Sequence, residues 1–468
     1  MKKIYLILLS LFIIESIRAN DSTKILSLND FLIIVKTYHP VAKQAGIQVE
    51  KARADLIIAR SGFDPVLGSE AGNKTFDGIN YYQNNVTQLS IPTWYGIEIK
   101  TGIEYLNGTR TDPMETIGKT SYAGIIVPLA KNLLIDKRRA TLKQAKIMLQ
   151  ASEQEKRMML NDLMMEATDT YWQWVQSCFI YQTYNEVIEI NKKRVSLVNL
   201  AYRNGEKPAI DTTEAVAQLQ NFEYQQNEAW LTWQNAGVQL NTFLWKQNDE
   251  AYELQPDVFP DKKPKELYDA VIFPELEKII EDARKTHPEL NIYTYKLSTL
   301  DIEKKLKFQE LLPKLDFKYS QLGKGYDVAS TAVKTLFDNN YRIGINFSIP
   351  LRLSQGRGEY KMAKLKIIET KLQQNQKEND LINKVKNYYN QLVNYKTQVN
   401  LLQKTYANYL RLQRGEENRF FNGESSLFLV NSRESKTLET LLKLTEVTTK
   451  YNKTAYSLKW AAGELWKL

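Results

Sequence analysis

Two long stretches of the sequence contain neither glycine nor proline, the residues that most often end a helix. The first runs from Leu129 to Asn204, and the second runs from Glu359 to Arg414. At about 1.5 Å of rise per residue, a continuous helix over the first stretch would be on the order of 110 Å long. Ordinary globular helices have only about 11–12 residues. We therefore expect a fold built around helices that are too long for a compact globule.

Apolar residues recur in both stretches at intervals of three and four, which is the spacing of one helix face. In the second stretch this face includes Ile382, Val385, Tyr389 and Leu392. The other faces are rich in Gln, Asn, Lys and Glu. The spacing predicts helices that pack along a seam against neighbouring helices while their remaining sides contact water.

Three segments alternate apolar and polar residues, as a strand does when one of its sides is covered. They lie at 97–105, 315–320 and 341–349. A tilted transmembrane strand needs about 9–11 residues, but a strand of a soluble sandwich has the same period, so the pattern alone leaves both placements open. The side chains predicted to face lipid are Leu315, Phe317, Tyr319, Tyr341, Ile343, Ile345 and Phe347.

Five short sequence landmarks occur twice in the same order, which indicates an internal duplication. The paired landmarks are His39-Pro40 with His287-Pro288, Pro65 with Pro313, Pro128-Leu129 with Pro350-Leu351, Asn204-Gly205 with Asn422-Gly423, and Leu244-Trp245 with Leu465-Trp466. We predict a first repeat over 20–245, a proline-rich linker over 246–272 and a second repeat over 273–468. Each repeat would contain a helix, strands, a long helix, a tip turn and a further helix.

Each repeat is expected to supply two strands, so that one chain supplies four. The first β region, 66–127, is longer than its counterpart and has room for an extra pair. Four strands leave open backbone edges, which lipid does not tolerate, so closure of a barrel would require several copies. Three copies would give 12 strands, which is within the range of outer-membrane barrels.

The N-terminal segment 1–19 has the pattern of a secretory signal peptide. Basic Lys2 and Lys3 precede an apolar run, and the small residue Ala19 marks a candidate cleavage site after it. The run is too short to span a bilayer as a helix, which takes about 20 residues. Cys178 is the one cysteine of the sequence, so no intrachain disulfide can form. We expect an exported protein that enters a membrane, if it does so, through strands.

The repeated landmarks, in this order, resemble those of the TolC-like outer-membrane efflux family. The resemblance covers Ser27 to Leu468 and includes the glycine-rich step at 354–358 into the second long helix. It implies an α+β membrane protein that forms a homotrimer in the outer membrane of a Gram-negative-type envelope. The implied trimer has a 12-stranded β-barrel that is continuous with a long periplasmic α-helical barrel.

The resemblance also implies a function, namely a passive conduit from periplasm to exterior in a tripartite efflux or type I secretion system. Its tip would dock a periplasmic adaptor (membrane-fusion) protein of an inner-membrane transporter. The implied tip and docking residues are Tyr202, Asn204, Gly205, Asp211, Phe420, Asn422 and Gly423, and the possible gate acids are Asp211, Glu214 and Glu424. The second half departs from the family pattern, because Leu429 and Ser432 stand where family members have acids.

We predict no enzyme, no cofactor and no metal site. His39 and His287 both belong to the repeated helix-entry landmark, and no His, Cys and carboxylate cluster has metal-ligand spacing. The formal net charge is +9, but the basic residues are interleaved with Glu and Asp, which is typical of a solvated surface and not of a nucleic-acid interface. The alternative function is a soluble periplasmic coiled-coil adaptor or scaffold. The transported cargo, whether small molecule, metal, peptide or whole protein, cannot be named from these residues.

Overall fold

The computed structural model describes residues 24–112, 115–255, 257–261 and 274–468. The predicted signal peptide and much of the predicted linker lie outside the described residues. The chain divides into a helical unit and a sheet unit, each compact in itself. The helical unit comprises the described parts of Met1–His39, Glu166–Ile272 and Leu392–Thr454, and the sheet unit comprises those of Pro40–Met165, Phe273–Gln391 and Ala455–Leu468.

Helices make up most of the described chain. In order they are α1 (Leu28–Tyr38), α2 (Pro40–Ser61), α3 (Lys137–Arg203), α4 (Ala209–Asn241), α5 (Leu276–Thr286), α6 (Pro288–Gln309), α7 (Val328–Ala332), α8 (Ser354–Phe421) and α9 (Leu427–Ala461). The long helices α3 and α8 have 67 and 68 residues, which corresponds to about 100 Å each. The two very long helices predicted from the breaker-free stretches are thus confirmed.

The ends of these two helices differ from the prediction for local reasons. α3 begins eight residues later than the breaker-free stretch, at Lys137, because the carboxylate of Asp136 accepts a hydrogen bond from the Arg139 N–H (2.8 Å) and caps the helix. α8 begins earlier than predicted and contains Gly356. A Cβ at Gly356 would lie 2.7 Å from the Glu310 carbonyl oxygen, so the glycine lets the first turn of α8 pack closely against that carbonyl.

The His-Pro landmarks mark two similar helix junctions. His39 and His287 both leave helical geometry, with ψ values of 135° and 124°. In each case the histidine N–H still donates to the preceding helix, to Val35 and Ala283 respectively. The proline that follows explains the break, since a residue before proline avoids the helical region. The internal duplication and the repeat boundaries stay predictions.

Strands form two sheets. They are β1 (Lys24–Leu26), β2 (Val66–Phe76), β3 (Ile79–Pro92), β4 (Glu98–Asn107), β5 (Gly118–Pro128), β6 (Val258–Pro260), β7 (Lys314–Lys324) and β8 (Tyr341–Ser348). β1 pairs in parallel with β6, and the others form an antiparallel sheet in the order β2-β3-β4-β5-β7-β8. The three predicted alternating segments correspond to β4, β7 and β8. The first β region contains four strands, and its extra pair, β2 and β3, joins the same sheet.

Aromatic and aliphatic side chains form the core of the helical unit. Phe31 stacks on Tyr171 with ring centroids 5.5 Å apart, and the Tyr171 hydroxyl donates to the Leu26 carbonyl (2.8 Å). Further along α3, one buried cluster joins three helices and contains Tyr184, Ile188, Phe222, Ala229 and Leu438. These contacts place one face of α3 against α4 and α9, as the seam spacing predicted.

Candidate functional sites: the sheet faces and the helix turns

The strand register places the apolar side chains of the sheet on one side. Directly opposed residues of an antiparallel ladder point to the same face. One row of opposed residues consists of Ile99, Ile125, Tyr319 and Ile343. The neighbouring rows place Val127, Leu315, Phe317, Ile345 and Phe347 on the same side. We call this side the apolar face, and it carries all seven side chains that were predicted to contact lipid.

Most of the apolar face is uncovered in the described chain. Ile345 is 69% exposed, and Leu67, Ile99, Ile125, Ile343 and Phe347 are exposed as well. Val127, Leu315 and Phe317 are half-buried, and Tyr319 is buried, with only 6% exposure. Its ring contacts that of Phe337 (5.1 Å between centroids), and its hydroxyl accepts a hydrogen bond from the Phe337 N–H (2.8 Å). The alternating pattern of β7 contained no sign of this cover.

The opposite side of the sheet, the polar face, is lined by charged and amide side chains. Arg342 of β8 approaches Glu104 of β4 to 3.8 Å, although β5 and β7 lie between those strands. In the register the two residues are three strand spacings apart and also offset by four residues along the strands. In a flat sheet their backbones would be roughly 20 Å apart, farther than the two side chains reach, so the contact requires the sheet to curve toward this face. Tyr122 also donates to Gln88 (2.9 Å) across Gly102. The polar face is therefore concave and internally hydrogen-bonded.

The two ends of the sheet are open in the described chain. β2 and β8 each have a hydrogen-bonded neighbour on one side only. Such edges present unpaired N–H and C=O groups, which are satisfied by water or by a strand of another chain. In lipid, pairing with another strand is the available solution.

The two predicted tip turns have the same backbone geometry. Gly205 and Gly423 have φ values of +76° and +79°. The next residue donates back to the helix in each case, from Glu206 to the Ala201 carbonyl (2.9 Å) and from Glu424 to the Arg419 carbonyl (2.8 Å). A helix that ends with one residue in the left-handed conformation favours glycine at that position, because glycine has no Cβ. The turn role of both glycines is confirmed, whereas docking at the tip stays a prediction.

The predicted tip residues do not share one environment. Phe420 is only 9% exposed and packs in a buried cluster with Val198, Ala215, Leu427 and Val430, which joins the two helical hairpins. Its ring also contacts the ammonium group of Lys207 (4.2 Å). By contrast the predicted tip residues Tyr202, Asn204 and Asn422 are exposed, and so is Phe421 beside them, at 71%.

An open groove of about 510 Å³ runs beside the first tip turn. Its apolar lining comes from Ile190, Leu197, Leu200 and Phe421, and its charged lining includes Lys193, Lys207 and Glu206. The first four side chains are exposed. The groove thus offers an apolar floor with charges of both signs at its rim.

Sequence reasoning missed a buried ionic network close to this groove. The Arg194 guanidinium donates to both carboxylate oxygens of Glu434 (2.6 and 3.1 Å) and to Glu417 (3.3 Å). Asn191 also donates to Glu434 (3.2 Å), whose side chain is almost fully buried. Nothing in the sequence signalled this network, because charges on long helices ordinarily lie on solvated faces.

The three predicted gate acids have separate neighbours. Glu214 accepts a hydrogen bond from the Asn431 amide (3.1 Å). Glu424 lies 3.9 Å from the guanidinium of Arg419. Asp211 is half-buried in the first turn of α4. The gate role of these acids stays a prediction.

Burial shifts the pKa of both histidines and of the cysteine in the described part of the chain. Burial lowers the pKa of His287 to about 4, and burial also lowers that of His39. Burial raises the pKa of the Cys178 thiol to about 12, so it stays protonated at neutral pH. Among residues 24–112, 115–255, 257–261 and 274–468, no group of three or more His, Cys, Asp or Glu could hold a metal ion. No helix of the described chain has both the length and the apolarity to cross a membrane.

The described chain matches the fold of TolC-like outer-membrane channels of known structure. The CmeC outer membrane channel of Campylobacter jejuni aligns with a TM-score of 0.62 and 18% identity, over 93% of this chain and 85% of that chain. VceC of Vibrio cholerae aligns with a TM-score of 0.60 and 14% identity, over 94% and 95%. The open state of MtrE from Neisseria gonorrhoeae gives 0.62 and 13%, over 94% and 89%.

Comparison with protein-family models and with curated proteins finds no match. The TM-scores of 0.60–0.62 establish a shared fold, and at identities of 13–18% the likeness is one of fold alone. The predicted resemblance to the TolC-like family is thus confirmed as a likeness of fold.

Proposed function

We propose that the chain is a subunit of a passive outer-membrane channel, a conduit from the periplasm to the exterior of a Gram-negative-type envelope. One observation carries the proposal: a curved sheet whose convex face is apolar and exposed and whose concave face is polar. Acyl chains suit the first surface and a water-filled lumen suits the second. The outer-membrane channels that share the fold support the same assignment.

We further propose that the channel is a homotrimer. The open edges of β2 and β8 would pair between neighbouring copies, which closes the sheet into a barrel without free edges. Three copies give the predicted 12 strands only if β2 and β3 leave β4, so that β4 takes the place of β2 as the edge that pairs with β8 of the next copy and the wall consists of β4, β5, β7 and β8. They give 18 if β2 and β3 stay beside β4, to which β3 is paired from Gln83 to Pro92.

The helical unit would extend into the periplasm and dock an adaptor of a tripartite efflux or type I secretion system. The apolar groove beside the Gly205 turn supports this proposal, since exposed apolar patches rimmed by charge are typical of protein interfaces. Leu200→Asp, inside the groove, should abolish co-purification with the membrane-fusion protein of the same envelope. Ile210→Asp, an exposed apolar residue that does not line the groove, should leave it intact.

A conductance experiment tests the conduit directly. Purified protein added to a planar lipid bilayer should produce discrete ion-conducting steps. The alternative function, a soluble periplasmic adaptor or scaffold, predicts that the protein is extracted in buffer without detergent and produces no steps. No nucleic acid, cofactor or catalytic group enters the proposed mechanism, because the conduit only lowers the barrier that lipid poses to solutes, and the transporter supplies the work.

A further inference from the structure

The segment between β7 and β8, residues 325–340, folds back over the apolar face of the sheet. The Thr331 and Ser121 hydroxyls are hydrogen-bonded at 2.9 Å. Gln321 donates to the Asn340 carbonyl (2.8 Å), and the Phe337 N–H donates to the Tyr319 hydroxyl (2.8 Å). The strand register places Ser121, Tyr319 and Gln321 on the apolar face. We call this segment, which contains α7, the outer flap.

The outer flap covers a place where the apolar face is not apolar. Ser121 and Gln321 interrupt the aliphatic pattern, and both are buried under the flap with their polar groups hydrogen-bonded. Gly323 lies beneath it as well, where a Cβ would collide with the Thr331 hydroxyl. The flap thereby removes from the surface the polar groups that lipid would not tolerate.

Four large apolar side chains of the flap are exposed, alongside polar ones that include Asp327, Asp338 and Asn339. Val333 is 84% exposed, and Leu336, Phe337 and Tyr326 are also exposed. Contact of four large apolar side chains with water is unfavourable, and exposed apolar patches of this kind mark contact surfaces. The flap thus buries polar residues of the apolar face and exposes four large apolar side chains of its own.

The register also gives the level of the flap along the sheet. Ser121 is directly opposite Ile103 of β4, and Gln321 is opposite Ala123, which is opposite Thr101. Ile103 lies on the apolar face of β4, the strand next to β5, so the flap lies at the level of an apolar side chain of the neighbouring strand. Its anchoring strands β5 and β7 are interior to the sheet, whereas copies of the chain would meet at β2 and β8.

We propose that the outer flap is a membrane-contacting surface, in which Val333, Leu336 and Phe337 insert among the acyl chains of the outer leaflet. The flap then acts as part of the barrel wall on the lipid side. The inference rests on the proposed function, because it requires the apolar face to contact lipid.

Spin labels test the depth of the flap in the full-length protein reconstituted in phosphatidylcholine–phosphatidylglycerol bilayers. Cysteines are introduced singly at Val333 and Leu336 in a Cys178→Ala background, because Cys178 is the one cysteine of the sequence and its removal leaves a single thiol to label. Two matched controls lie on opposite faces of β8, namely Ile345→Cys and Asn346→Cys. The measurement is the accessibility of each label to oxygen, which concentrates in lipid, relative to a water-soluble nickel chelate.

Labels at Val333 and Leu336 should show the high oxygen and low nickel accessibility of the label at Ile345. Nickel-accessible labels on the flap, with Ile345 still in lipid, would overturn the inference and leave the channel proposal intact. Nickel accessibility at both Ile345 and Asn346 would overturn the channel proposal as well. Low access to both reagents at Val333, with Ile345 in lipid, would mean that protein covers the flap, and it would refute the lipid contact.

Discussion

Ile345→Arg measures directly what the apolar face contacts. Ile345 lies in the middle of β8, is largely exposed, and stands opposite Phe317 on the apolar face. If acyl chains cover this position near the bilayer midplane, an arginine there lowers the free energy of unfolding by about 2–4 kcal/mol. The matched change, Asn346→Arg, adds the same charge to the next residue, on the polar face. A water-filled lumen accepts that charge, so the loss should be far smaller.

The two variants are compared by unfolding in urea from lipid vesicles, with folded protein scored by its heat-modifiable gel mobility. The account predicts a difference of at least about 2 kcal/mol between them, with Ile345→Arg the less stable. Equal losses would mean that both faces contact the same medium. A larger loss for Asn346→Arg would mean that the faces were assigned the wrong way round.

Three further predictions concern the helices and are checked by denaturant unfolding of the detergent-solubilised protein. Glu434→Ala leaves Arg194 buried without its main partner and should lower the free energy of unfolding by about 3–5 kcal/mol. The double variant Glu434→Leu/Arg194→Met removes both charges and should lower it far less. Gly423→Val forces a β-branched residue into the left-handed region and should cost at least about 1–2 kcal/mol, while Gly415→Ala, a control inside α8, should stabilise by about 0.5–1 kcal/mol. The pKa of His287 is lowered to about 4 in the folded chain, so the unfolded chain binds the proton more tightly, and the free energy of unfolding should fall by about 3 kcal/mol as the pH drops from 6.5 toward 4. His287→Gln should flatten this pH dependence. An unchanged slope would contradict the reasoning.

The parts of the fold that follow from local pattern could be predicted from the sequence. The absence of breakers between Leu129 and Asn204 was sufficient for α3, because nothing else in that stretch stops a helix. Alternation was sufficient for β8, since a period of two fixes which side chains share a face. The same reasoning placed glycine at both helix turns, where a positive φ is required.

The parts that depend on contacts between distant residues could not be predicted. Arg194 and Glu434 are far apart in sequence, and neither differs from an ordinary surface charge until α3 and α9 pack together. Phe420 matched a tip pattern but lies in the core that joins two hairpins. Tyr319 fits the alternation of β7, yet the outer flap covers it, and only the three-dimensional path of residues 325–340 shows this.

Closure of the sheet by neighbouring copies is the claim on which the channel depends, and the mass of the detergent-solubilised complex tests it most directly. Native mass spectrometry of protein extracted from outer membranes, after removal of detergent in the gas phase, should give three times the mass of one mature chain. A single-chain mass for material that stays in solution without detergent would contradict the account.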